Sequence, residues 1–191
     1  MEELIEKIRD QGCYVGDEII KVDSFLNHNI DVGLNLRIAA FMKSELIASG
    51  ISQVTKILTA EVSGIPLGFS IARLFNVDLV YAKKRYSRIM NSDYYFAGIK
   101  SRTKSTKTNL LVDRLFLSAQ DRVIIVDDFL ATGSTSRGLA NIVSQSKATL
   151  LAFGSIIEKP SEDGRFSLAE FDVPIISLAK VNFFKEKFYV S

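Results

Sequence analysis

The chain has 191 residues, 47% of them hydrophobic and 24% charged, with a formal net charge of +2. That balance suits one globular domain and excludes a disordered chain. A single cysteine, Cys13, and a single histidine, His28, exclude an internal disulfide and a zinc cluster.

The start MEELIEKIRD is acidic and amphipathic, which argues against a secretory leader. No apolar run reaches the roughly 20 residues that span a bilayer, so a cytoplasmic setting without membrane attachment is expected. Up to about Val54 the pattern is mainly helical, with Leu34, Ile38, Phe41 and Met42 on one face. Between the helices, residues 22–29 (VDSFLNHN) read as a polar and aromatic loop. Residues 54–59 (VTKILT) read as a strand, and Glu61, Ser63 and Gly64 follow in a loop. Pro66 then opens a helix whose apolar face is Leu67, Ile71, Leu74 and Phe75.

Residues 77–82 (VDLVYA) form the next predicted strand. From Lys83 to Lys107 eight Lys and Arg residues face one acid, Asp93, so this stretch carries +7 and the remainder −5. Concentrated positive charge suits a polyanionic ligand, either a phosphate compound or a nucleic acid. Residues 92–108 are rich in Tyr, Ser, Thr and Lys, which fits a flap or a weakly packed hairpin. Residues 123–126 (VIIV) suit a strand buried on both faces, and Leu139, Ile142 and Val143 mark the next helix. Residues 150–157 and 174–178 supply further strands. The repeated alternation predicts an α/β fold with an open, mostly parallel, twisted sheet flanked by helices. On such sheets ligands bind beyond the carboxyl ends of the strands.

The most informative stretch is residues 123–139 (VIIVDDFLATGSTSRGL), where a buried strand ends in two adjacent acids and a helix opens at Thr132–Thr135. Backbone N–H groups at a helix N-terminus attract phosphate, and Gly133 permits close backbone approach. The hydroxyls of Thr132, Ser134 and Thr135 can donate to phosphate oxygens. Asp127 and Asp128 would repel phosphate, so they suit sugar hydroxyls or a magnesium ion held mainly by ligand oxygens and waters. A sugar phosphate satisfies both halves. Two rivals fail: Leu139-Ala140 stand where a P-loop needs Lys-Ser/Thr, and G-x-G-x-x-G is absent.

The VIIVDDFLATGST segment resembles the phosphoribosyl-pyrophosphate signature of type I phosphoribosyltransferases. More widely, four further blocks resemble the bacterial xanthine phosphoribosyltransferase family, in its order and over nearly the whole chain. They are residues 19–31 (IIKVDSFLNHNID), 60–65 (AEVSGI), 81–84 (YAKK) and 156–159 (IIEK). The resemblance implies a single domain over 1–191, with a helical base-binding hood in residues 1–50 and a flexible active-site flap in residues 84–108. It implies that Ala131, Thr132, Gly133, Ser134 and Thr135 bind the ribose phosphate and that Asp127 and Asp128 bind ribose hydroxyls. Glu61, Ser63, Gly64 and Lys83 would lie near pyrophosphate, and Ile20, Asn27 and Lys159 would contact the base. The expected reaction is purine salvage, joining xanthine to phosphoribosyl pyrophosphate with Mg2+ carried mainly by substrate oxygens, in a homodimer. Lys159 has a rationale of its own, since an ammonium donor favours an oxopurine over adenine.

The loop reads Ala131-Thr132-Gly133-Ser134-Thr135 where that family more often has Ala-Asn-Gly-Gln-Ala, and residues 62 and 66–68 also depart from it. The readings left beside xanthine are guanine or hypoxanthine transfer, and a non-catalytic regulator that senses phosphoribosyl pyrophosphate or binds nucleic acid. The regulator would use the basic stretch and Tyr86, Tyr94 and Tyr95, but no winged-helix domain accompanies them.

Overall fold

The computed structural model describes residues 1–86, 93–100 and 107–191, with backbone alone at Lys100 and Lys107. The chain opens with α1 (Glu2–Gln11), two short paired strands, β1 (Cys13–Tyr14) and β2 (Ile20–Lys21), and α2 (Val32–Ala48). An alternation follows: β3 (Lys56–Ala60), α3 (Ile65–Phe75), β4 (Asp78–Ala82), β5 (Tyr94–Lys100), β6 (Lys107–Asp113), β7 (Arg122–Leu130) and α4 (Ser134–Ser146). It closes with β8 (Thr149–Glu158), the short α5 (Gly164–Leu168), β9 (Ile175–Phe184) and β10 (Lys187–Val190).

The central sheet has the order β10-β9-β8-β7-β3-β4, parallel throughout except for the β9–β10 hairpin at one edge. Its middle strands are buried on both faces, as their continuous apolar runs require. Successive side chains divide accordingly. Ile57, Ile124 and Val126 join one core with α2 and α3, while Leu58, Val123 and Ile125 join the other with α4. The parallel α/β expectation is met. No helix among the described residues is long and apolar enough to cross a membrane.

Three local readings change. Residues 23–27 form a π-helical turn rather than an open loop, because Phe25 and Leu26 insert into the core. Phe41 leaves the α2 core face: the buried stripe runs through Asn35, Ala39, Met42 and Leu46, so Phe41 stays 40% exposed at its margin. The pair β5–β6 is antiparallel and firmly packed rather than weakly so, with Tyr95, Ala97, Ile99, Leu110 and Val112 buried against the α4 side. Alternation hides such a strand in a polar composition, since only every second residue faces the core. Residues 87–92 and 101–106 of the expected flap lie outside the described residues.

Candidate active site

Three loops converge beyond the carboxyl ends of β3, β7 and β8. The apolar run of β7 ends in Asp127 and Asp128, both nearly buried. From the loop after β3, the Ser63 hydroxyl donates to Asp128 Oδ1 at 2.9 Å. From the turn before α2, the Asn27 amide donates to Asp128 Oδ2 at 3.2 Å. The Asp128 N–H donates to Asp127 Oδ1 at 3.0 Å. Five expected site residues, Asn27, Ser63, Gly64, Asp127 and Asp128, therefore meet at one point.

Gly64 is there for a steric reason: a Cβ would fall 2.1 Å from Thr59 Oγ1 and 2.9 Å from Asp127 Oδ1. The Thr59 hydroxyl is committed elsewhere, donating to Val126 O at 2.7 Å and tying β3 to β7 beneath the acids. The Glu61–Val62 peptide is cis, Glu61 N–H donates to Ala82 O, and the Glu61 carboxylate accepts from Lys84 N–H at 2.6 Å. The loop is further braced by Asn35, whose buried amide donates to Pro66 O and Ser70 Oγ at 3.1 and 2.7 Å.

Burial pushes the Asp127 carboxyl well above the usual carboxylate range, and the neighbouring Asp128 pushes it further, while Lys84 draws it partly back. Two acids packed together at a strand end, shortly before a helix N-terminus, suit hydroxyl donors and a cation brought by a ligand. Lys83 pairs through its backbone with Leu111 and lines a separate cavity of about 670 Å3 beside Asp78, Tyr81, Leu115 and Phe116. Lys84 is the cation whose charge reaches Asp127.

On the other side of the acids, Ala131 and Thr132 lead to Gly133, at φ 76°, and then Ser134 and Thr135 begin α4. The left-handed Gly133 sets the chain into α4, whose first N–H, that of Ser134, donates to Thr132 Oγ1 at 3.4 Å. The turn is held from α5: Ser167 Oγ lies 2.9 Å from both Thr132 O and Gly164 O.

Ile20, on β2, is a buried core residue. Lys159 follows the last residue of β8, and its N–H donates to Leu130 O at 2.8 Å, which fixes it beside the end of β7. Its ammonium is buried, 5.9 Å from the Phe129 ring centroid and 5.6 Å from that of Phe183. Phe129 and Phe183 escaped the sequence reading, since both pass as ordinary strand residues. So did Arg165, whose guanidinium forks onto the Glu158 carboxylate at 2.9 and 2.7 Å.

Burial alone would raise the Glu158 carboxyl, but Arg165 and Ser177 outweigh it and hold the group below the ordinary value of 4.5. A depressed carboxylate stabilises the fold above its unfolded value and loses that contribution as pH falls through the folded one. Glu158→Gln should therefore cost about 1–2 kcal/mol at pH 7, discounted for the half-exposed arginine. The cost should shrink in urea titrations as pH falls from 4.5 through the lowered folded value.

No family model matches the chain. Among solved structures, adenine phosphoribosyltransferase from Saccharomyces cerevisiae, bound to adenine and an imino-altritol bisphosphate, superposes with a TM-score of 0.74. It is 20% identical, with 93% of this chain and 99% of that one covered. The adenine phosphoribosyltransferase of Trypanosoma brucei, in complex with AMP, pyrophosphate and ribose-5-phosphate, gives a TM-score of 0.72 at 18% identity, covering 93% of this chain and 79% of that one. These two share the fold. In sequence, the chain is 38% identical to the xanthine phosphoribosyltransferase of Streptococcus pneumoniae strain TIGR4, over 97% of this chain and 94% of that one. The enzyme of the same name from strain Hungary19A-6 is 39% identical over the same shares. Identity of that extent, over nearly the whole of both chains, leaves one assignment: the chain belongs to the xanthine phosphoribosyltransferase family.

Proposed function

We propose that the chain transfers a phosphoribosyl group from phosphoribosyl pyrophosphate to xanthine, releasing xanthosine monophosphate and pyrophosphate, as a cytoplasmic purine-salvage enzyme. The observation that carries the reading is the meeting of Ser63 and Asn27 on Asp128, at the strand end that leads into the Gly133 turn.

In this reading the first turn of α4, with Thr132, Ser134 and Thr135, holds the ribose phosphate. Asp127 and Asp128 accept from the ribose hydroxyls and orient the anomeric carbon. The loop Glu61–Gly64, with Lys84 held beside it by Glu61, receives the pyrophosphate, while Lys83 faces the neighbouring cavity. Ile20, Asn27 and Lys159 surround the base, and residues 1–50 act as its hood. No protein nucleophile is required: pyrophosphate leaves as the anomeric carbon gains oxocarbenium character, and the base nitrogen attacks and gives up its proton to the departing pyrophosphate. The chain's task is orientation and exclusion of water, each worth several kcal/mol.

The acids also fit Mg2+ brought in by the substrate. They are two buried carboxylates rather than a cage, and among the described residues no group of three or more His, Cys, Asp or Glu stands ready for a metal. Hard six-coordinate magnesium would then take most of its oxygens from substrate and water. When bound, it disperses charge on the departing pyrophosphate. A homodimer, suggested by the resemblance, completes the proposal.

The test follows pyrophosphate release with Mg2+ and phosphoribosyl pyrophosphate, supplying xanthine, guanine, hypoxanthine and adenine separately. Xanthine should exceed the others at least tenfold in kcat/KM, about the net worth of one ordinary hydrogen bond. Preference for guanine or hypoxanthine would keep the mechanism and move the base. Tight binding of phosphoribosyl pyrophosphate with no turnover would replace the enzyme by a sensor.

A further inference from the structure

The end of β8 holds a buried pair of charges that the reaction scheme leaves unexplained. Lys159 Nζ lies 3.3 Å from Glu162 Oε1, one turn further along, and the two side chains are only 8% and 7% exposed. The same ammonium donates to the backbone carbonyl of Glu18 at 3.0 Å. The Glu18 carboxylate is occupied separately, accepting from Ser161 Oγ at 3.1 Å. On the strand side, the Glu158 carboxylate is bound by the Arg165 guanidinium. Glu162 is a carboxylate at ion-pair distance from the lysine and equally buried.

A buried ammonium without a compensating charge is costly, and a lysine side chain has four rotatable bonds with which to escape. Here it is kept inside, between Phe129 and Phe183, by one acceptor from the hood segment and one from its own turn. Two acceptors on opposite elements fix the direction of the ammonium, which a point charge on a flexible stem does not have unaided.

We propose that Glu162 is a positioning residue for base recognition: it neutralises and aims Lys159, so the lysine meets a purine oxygen as an oriented hydrogen-bond donor instead of a loose cation. The proposal rests on the reading of Lys159 as a base contact. It assigns Glu162 to xanthine affinity and leaves phosphoribosyl pyrophosphate to the loops around Asp127 and Asp128.

Steady-state kinetics with each substrate varied in turn separate these roles. Glu162→Gln should raise KM for xanthine about thirtyfold, the low end of what loss of one partner from a buried charge pair costs. KM for phosphoribosyl pyrophosphate and kcat should stay within about twofold. Glu162→Asp, which keeps the charge on a shorter arm, should recover part of the loss and serves if the glutamine variant does not fold. Xanthine KM within twofold of the parent in both variants, or a matched rise for both substrates, would overturn the proposal. Lys159→Met supplies the second arm: no change in xanthine KM there would sink the base assignment and the proposal together. A large change in Lys159→Met with none at Glu162 would sink the proposal alone.

Discussion

Asp127→Asn should lower kcat/KM for phosphoribosyl pyrophosphate by about 100- to 1000-fold, the usual cost of losing one preorganised electrostatic contact at a reacting centre. The same variant should be more stable than the parent. Asp127 is buried beside Asp128, and burial together with that neighbour raises its carboxyl well above the usual range. Between the ordinary value of 3.8 and the raised one, the folded state binds more protons than the unfolded state. Stability contributed by this group is therefore present at low pH and falls as pH rises through that window. Asparagine keeps an acceptor for the Asp128 N–H and removes the charge. The gain should be about 1–2 kcal/mol at pH 8, or roughly 3–6 °C in Tm, and should shrink toward zero near pH 4. Melts of both proteins without Mg2+ or substrate at pH 5 and pH 8 test the sign. A lower Tm at pH 8 would mean that the two acids are not held against their own repulsion. Unchanged kcat/KM would remove Asp127 from the ribose site.

The divided outcome is expected wherever a fold keeps a strained feature for its ligand. It also marks what was legible in the sequence. The central strands were readable because burial on both faces leaves an unbroken apolar run, as at Val123 to Val126. The candidate site was readable because its residues are compressed into one segment: twin acids, a glycine that needs positive φ, and a helix start follow one another. What the sequence concealed depends on partners far along the chain. Phe25 and Leu26 are buried because α2 and the sheet enclose them, although their neighbours Asp23, Ser24 and Asn27 argue for a loop. Lys159 lies in a run whose composition suggests a solvated strand end. Its burial follows from a carbonyl 141 positions away and from a carboxylate one turn later. Even there a weak signal existed, since Lys-Pro-Ser-Glu places opposite charges at i and i+3 around a helix-opening proline.

Gly133→Ala is expected to disable the site from the opposite side, by collapse of the phosphate turn. At φ 76° a residue with a Cβ pays about 1 kcal/mol for the left-handed backbone. The added carbon would also lie 2.3 Å from Ser167 Oγ and 2.9 Å from Gly164 O. The first contact is with a side chain that can rotate; the second is with backbone at the start of α5. Gly164 has no room to retreat toward the loop, because its own Cα position already faces Ala131 O, 2.1 Å from where a Cβ would stand. The turn must open, and the start of α4 shifts with it. KM for phosphoribosyl pyrophosphate should rise at least 100-fold, and stability should fall by about 2–4 kcal/mol in urea titrations, as for other overpacked interior sites. The double variant Gly133→Ala, Ser167→Ala separates the causes. It removes the hydroxyl clash and leaves both the backbone contact and the unfavourable φ, so most of the KM defect should persist. Full recovery in the double variant would place the whole effect on the serine hydroxyl and leave the turn's left-handed geometry without a role in phosphate binding.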